Sequence, residues 1–154
     1  GLMLRALGRD YRVLFVQFLK NQPTGELKSL AQFSHVKILR GKESDVFSFH
    51  MSEEDKIKAR AIHNEHLQQA IALVNEGLFD LLVLDEVVGA YDKRLLDGEL
   101  LLDFLRHKPN DLEVVMTGRN PDEQLVLLAD YVSEIKKIKH PYDQGVTARV
   151  GIEL

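Results

Sequence analysis

Short, nearly continuous apolar runs alternate along this chain with stretches in which apolar positions recur every three or four residues. Tyr11 to Leu19, Val36 to Leu39, Phe79 to Leu84 and Leu112 to Met116 are runs of the first kind. They read as strands, the longer ones buried on both faces as in a parallel sheet. Between them the pattern predicts helices. Gly1 to Leu7 reads as the tail of a helix stopped by Gly8, and Glu26 to Phe33 as a short helix after the turn cluster Asn21 to Gly25. Ser52, with Asp55 three residues on and Glu53 and Glu54 between, has the form of a capping box. The long helix it opens should run to about Glu76 and close at Gly77. A loop is expected around Gly89-Ala90-Tyr91, then a helix from about Leu95 to His107 with Leu101, Phe104 and Leu105 on one side. Asn120 as cap, Pro121 at the first helical position and Glu123 at the third predict a helix over Pro121 to Ala129. A last short strand is expected at Tyr131 to Ile135. Strands alternating with helices argue for one α/β domain over residues 1–154, with a mostly parallel sheet and helices on both faces.

Composition narrows the class without naming a function. With 154 residues, 45% hydrophobic and 29% charged, the chain has enough apolar material for a core. The formal net charge of −4 leaves no global basic footprint for nucleic acid. The longest apolar run, about half a dozen residues, is far short of the ~20 needed to cross a bilayer, so no membrane association is expected. There are no cysteines, hence no disulfide framework and no thiolate metal site. No leader pattern is visible, and a cytoplasmic location is the expectation.

Candidate chemistry gathers where strands end. In parallel α/β sheets, ligands bind outside the carboxyl ends of the strands. Three groups should therefore share one rim: Gln17 to Lys20, Asp85-Glu86, and Thr117-Gly118-Arg119. An apolar strand ending in two carboxylates is the pattern of the Walker B element of P-loop nucleotide-binding proteins, where a carboxylate holds or orients Mg²⁺ beside phosphates. Adjacent residues on a strand face opposite ways, so one of Asp85 and Glu86 is expected to ligate the ion and the other to make a supporting hydrogen bond. A strand tip that simply meets solvent would look the same. Arg119 is either a plain surface residue or, with the close backbone approach that Thr117 and Gly118 permit, a planar fork for a phosphate. Lys136, Lys137, Lys139 and His140 form a solvated loop or flank an anionic ligand. Phe47 and Phe49 are core anchors or a wall for a flat ligand. His63 and His66, three apart on the long helix, could chelate a metal, but no matching third ligand is apparent.

The C-terminal third adds a composite pattern. Val115-Met116-Thr117-Gly118-Arg119-Asn120-Pro121, then Leu128-Ala129-Asp130-Tyr131-Val132-Ser133-Glu134, then Ile138 to Glu153 (IKHPYDQGVTARVGIE) occur together and in order. These blocks resemble the ATP:corrinoid adenosyltransferases of the P-loop type. The resemblance extends back through Val83 to Glu86, Phe47 to Phe49 and Arg12 to Lys20, so it covers essentially the whole chain. It implies a P-loop NTPase-like, RecA-like fold and transfer of the 5′-deoxyadenosyl group of ATP to Co(I) of cob(I)alamin or cobinamide, with release of triphosphate. The substrates implied are ATP and the corrinoid, with Mg²⁺ at Glu86 and Asp85 and with Thr117, Gly118 and Arg119 toward the phosphates. Phe47 and Phe49 match a Phe-x-Trp pair that packs on the corrin, with Phe in place of Trp at the second position. A homodimer is implied, and reduction of cobalt would call for a reductase or a flavodoxin-type electron donor.

One departure is large. The family's glycine-rich Walker A loop, with the strand before it, is not in the sequence. The resemblance places both just ahead of Gly1, making the domain N-terminally incomplete. A segment unseen is the expectation over a segment deleted, because losing a mid-sheet strand should cost more than the ~5–15 kcal/mol of net stability a domain has. Two rivals stay open: a generic P-loop ATPase or kinase, resting on Asp85-Glu86 alone, and a corrinoid- or nucleotide-binding module without catalysis.

Overall fold

A computed structural model describes every residue except 21, 23, 43–50, 153 and 154. Among the described residues, four strands form one all-parallel sheet: β1 (Val13–Gln17), β2 (Val36–Arg40), β3 (Leu81–Asp85) and β4 (Glu113–Met116), in the order β2-β1-β3-β4. The fold is α/β, as the alternation of patterns requires. Among the described residues no helix is long and apolar enough to cross a membrane.

Alternation of side chains on the two central strands decides what each helix covers. Leu14, Val16, Leu82 and Leu84 point to one face and pack with Leu67, Ala70 and Val74 of α3 (Glu53–Asn75) and Leu101, Leu102 and Phe104 of α5 (Gly98–His107). Val13, Phe15, Leu81 and Val83 point to the other, against Leu7 of α1 (Leu2–Leu7) and Leu30 of α2 (Gly25–Leu30). Burying each such Leu, Val or Phe contributes about 1.5–3 kcal/mol, which is why both strands are apolar at every core position. At the amino ends, Arg12 fastens β1 to the α3–β3 turn: its backbone N–H and Nε donate to Asp80 Oδ2 at 2.8 and 3.0 Å, and Nη1 donates to Gly77 O at 2.9 Å.

The long helix begins with the expected capping box. Asp55 N–H donates to Ser52 Oγ at 3.1 Å and Ser52 N–H donates to Asp55 Oδ2 at 3.1 Å, and Gly77 follows the helix at φ +69°. Asp97 caps α5 by accepting from Leu100 N–H, while its own N–H donates to Asn64 Oδ1 at 2.6 Å and ties α5 to α3.

Four expectations are corrected. The segment around Gly89 is a helix, α4 (Val87–Asp92), because Val87, Val88 and Ala90 are all buried, and that burial outweighs the poor helix propensity of Val-Val-Gly. The helix after β4, α6 (Glu123–Leu128), starts later than predicted. Asn120 takes φ +52° and turns the chain aside, so the cap passes to Asp122, whose carboxylate accepts from Gln124 N–H at 2.9 Å. The α5 helix starts at Gly98, while Leu95 and Leu96 are buried in the connection before it. Tyr131 to Ile135 forms no strand. Tyr131 and Ile135 are 94% and 97% exposed, and without a neighbouring strand to pair with, five residues have no ladder to join. The tail continues exposed through a 3₁₀ turn at Pro141–Gln144.

Candidate functional site

The register of the sheet brings the strand ends level. Gln17 lies opposite both Arg40 and Asp85, and Leu84 opposite Met116, so Thr117 follows directly beside Asp85. The expected rim exists, and its centre is the Asp85 carboxylate.

Both oxygens of Asp85 are engaged. Lys20 Nζ donates to Oδ2 at 3.0 Å and Gln17 Nε2 to the same atom at 3.4 Å, while the Thr117 hydroxyl donates to Oδ1 at 2.8 Å. The Thr117 oxygen in turn accepts from Glu86 N–H at 2.9 Å. Gln17 is buried to 1% exposure, and its Oε1 has no hydrogen-bond partner among the described residues.

Glu86 does not continue the strand. It turns to φ +61° and becomes the residue before α4, so the picture of two carboxylates on opposite faces of one strand is corrected. Holding a non-glycine residue in this region costs about 1–2 kcal/mol, here opposed by the bond from its amide to Thr117. The half-buried Glu86 carboxylate makes no hydrogen bond or ion pair among the described residues, in contrast to its saturated neighbour. Gly89 sits beneath it: a Cβ there would meet Leu19 Cδ1 at 3.3 Å and Glu86 Oε2 at 3.8 Å.

Leu19 also adopts a left-handed conformation, φ +56°. Its N–H donates to His63 Nε2 at 3.3 Å, and His63 Nδ1 donates to Leu95 O at 2.8 Å. His63 is buried, with Phe18 edge-on at 5.4 Å between ring centres. Its nitrogens are thus committed to backbone, and among the described residues no group of three or more His, Asp or Glu is placed to hold a metal, so the His63–His66 chelate gains no third ligand.

Gly118, at φ +148°, lies against the start of α4, where a Cβ would come within 2.5 Å of Val88 Cβ. Arg119 is exposed at the mouth of this turn and forms no ion pair or hydrogen bond among the described residues. Lys137 pairs with Asp143 at 2.8 Å, Lys136 lies 3.4 Å from Glu134, and His140 Nδ1 accepts from Tyr142 N–H, so this basic cluster is spent partly on its own tail. Phe47 and Phe49 lie outside the described residues.

Two members of the site, Gln17 and Lys20, have no role in the sequence pattern beyond standing at a strand end. Parallel register makes Gln17 a neighbour of Asp85, and Lys20 joins them from the turn after β1. His63 carries no sequence signal for these two bonds, because Leu19 N–H and Leu95 O are main-chain atoms.

Set beside known proteins, the whole chain, residues 1–154, matches the family model described as ATP:corrinoid adenosyltransferase BtuR/CobO/CobP. The chain belongs to the ATP:corrinoid adenosyltransferase family. It is 32% identical to the corrinoid adenosyltransferase of Escherichia coli K12 over 158 residues, covering 99% of this chain and 76% of that protein. It is also 32% identical to corrinoid adenosyltransferase CobA of Salmonella typhimurium over 156 residues, with the same coverages. The relative from Pseudomonas aeruginosa is 28% identical, with 99% and 74% covered. In this adenosyltransferase-family chain the rim gathers Gln17, Lys20 and Thr117 around the Asp85 carboxylate.

Proposed function

We propose that the protein transfers the 5′-deoxyadenosyl group of ATP to the Co(I) centre of a corrinoid, cob(I)alamin or cobinamide, and releases triphosphate. The observation carrying this reading is the family match over the full chain, together with a rim whose groups suit a magnesium nucleotide.

In the step itself, the Co(I) electron pair attacks C5′ of ATP. A cobalt–carbon bond forms, the C5′–O bond breaks, and its electron pair leaves on the triphosphate. No proton needs to move at the reacting carbon. The protein's part is in-line placement and neutralisation of charge on the leaving group. Arg119 suits that second task, exposed and unengaged among the described residues beside a glycine turn that lets a phosphate approach the backbone. Phe47 and Phe49 are assigned to the corrin face by the resemblance alone.

The residues present fit Mg²⁺ in the way nucleotide enzymes usually hold it. That ion takes one or two carboxylates plus substrate phosphates and keeps several waters, so no closed protein cage is required. Glu86 is the open carboxylate, and Asp85, already bonded to Lys20, Gln17 and Thr117, supports it from behind. The unmatched buried Gln17 Oε1 is an acceptor still open to a donor from a bound ligand. When bound, the ion would supply positive charge to the triphosphate.

The test uses full-length protein with ATP, Mg²⁺ and chemically reduced cobalamin, followed by absorbance. The Co(I) spectrum should give way to that of an alkylcobalamin, with stoichiometric triphosphate. Steady ADP release with no cobalt–carbon product would replace the transferase with an ATPase. A homodimer, a separate electron donor and a cytoplasmic location belong to the same proposal, the first checked by sedimentation of the full-length protein.

A further inference from the structure

We infer that His63 is a positioning residue for this site: as a neutral imidazole protonated on Nδ1, it fixes the left-handed turn at Leu19 and so seats Lys20 on Asp85. This rests on the reading that the Asp85 rim is the nucleotide site, although its decisive measurement does not.

The two hydrogen bonds define the tautomer. Leu19 N–H is a donor, so His63 Nε2 must be a bare acceptor, and Leu95 O is an acceptor, so Nδ1 must carry the proton. The ring thereby joins the segment just after β1 to the segment just after α4. Leu19 is a bulky residue at φ +56°, a conformation that persists only where surroundings over-determine it. The surroundings are His63 on its amide, Gly89 against its side chain and the buried Phe18 packed on the same imidazole. Lys20 is the next residue, and from that turn its ammonium reaches Asp85 Oδ2 at 3.0 Å. Relaxing Leu19 to φ < 0 would redirect the Lys20 side chain, leave Asp85 without its cation and open the space over Gly89.

The Lys20 side chain is 38% exposed, so its reactivity can be measured without ligand or turnover. Trace reductive methylation of the full-length protein, read lysine by lysine by mass spectrometry, compares wild type with His63→Leu and His63→Gln. Leu keeps bulk and loses both bonds, whereas the Gln amide offers one acceptor and one donor, as the neutral ring does. In His63→Leu, Lys20 labelling should rise several-fold relative to Lys108, which donates to Leu112 O in the α5–β4 connection, and His63→Gln should return it toward wild type. The KM for MgATP should rise on the order of tenfold in His63→Leu with a smaller change in kcat, the signature of a misplaced binding group. Unchanged Lys20 labelling, or Lys20 and Lys108 rising together, overturns the inference. If neither variant folds, ¹H–¹⁵N spectra of wild-type imidazoles decide it, since an Nε2-protonated His63 cannot accept from Leu19. Failure of adenosyl transfer with the labelling result intact would remove the proposed reaction and leave the positioning role standing.

Discussion

Thr117 donates its hydroxyl to Asp85 Oδ1 at 2.8 Å while the same oxygen accepts from the backbone of Glu86 at 2.9 Å. One side chain from the end of β4 thus fixes both the carboxylate that closes β3 and the left-handed residue after it. Thr117→Val keeps the shape and deletes both bonds, leaving a partly buried amide and a carboxylate oxygen unmatched. The variant should lose about 1–3 kcal/mol of stability in urea unfolding. Thr117→Ser should recover most of it, because the hydroxyl alone makes both bonds. A Val variant as stable as wild type would mean that water replaces the hydroxyl and that Thr117 does not hold the turn.

Gly118 faces a different constraint. With φ +148° and only 2.5 Å between an added Cβ and Val88 Cβ, alanine demands movement of α4 or of the β4 exit. Gly118→Ala should destabilise by about 1–3 kcal/mol through overpacking and backbone strain. The same shift displaces Arg119, so MgATP binding by titration calorimetry should weaken together with stability. Gly145, also at positive φ but with nothing within 4 Å, is the control: Gly145→Ala there meets backbone strain alone and should leave nucleotide binding unchanged.

What the sequence revealed and withheld follows from locality. β1 and β3 are legible because a strand covered on both faces must be apolar at consecutive positions, as Val13 to Val16 and Leu81 to Leu84 are. The Ser52–Asp55 box is legible because both partners lie within one turn. Resemblance to a family supplied the substrates, which no periodicity contains. By contrast α4 was hidden behind Gly89, whose missing side chain makes room for Leu19, a residue from the far side of two intervening helices. The strand expected at Tyr131 to Ile135 had the right residues, but a strand is a pairing and not a composition. Gln17 and Asp85 meet through parallel register and Lys20 joins them from the turn after β1, and the bonds of His63 to two backbone atoms leave no residue-type signature at either partner.

Acid should test the clamp at the other end of the sheet. The guanidinium of Arg12, hydrogen-bonded to Asp80, holds that carboxyl below its ordinary value of 3.8. A folded-state pKa below the unfolded one means that the unfolded chain binds the proton more readily. Stability from this pair is therefore fully present above the ordinary carboxyl value and is lost as pH falls through the lower folded-state value. Asp80→Asn should lower the urea midpoint at neutral pH and flatten the acid limb of stability as pH falls below the ordinary carboxyl value. An Asn variant whose acid limb overlays wild type would assign that limb to other carboxylates, among them Asp55, which Ser52 also holds low.

Glu86→Gln tests the proposed metal site apart from folding. Its carboxylate makes no hydrogen bond or ion pair among the described residues, whereas its backbone amide is bonded to Thr117 and its φ of +61° is set by the turn into α4. Glu86→Gln leaves the backbone contact in place and adopts the turn no less readily, so the thermal midpoint should stay within a few degrees of wild type. The Mg²⁺ concentration for half-maximal turnover should rise on the order of tenfold. Asp85→Asn should behave differently. It removes the charge that faces Lys20 and weakens the bond from Thr117, so stability and Mg²⁺ dependence should fall together. If Glu86→Gln shows unchanged turnover at limiting Mg²⁺ while Asp85→Asn loses it at full stability, the two carboxylates exchange roles and Asp85 becomes the direct ligand, released from Lys20 when nucleotide binds.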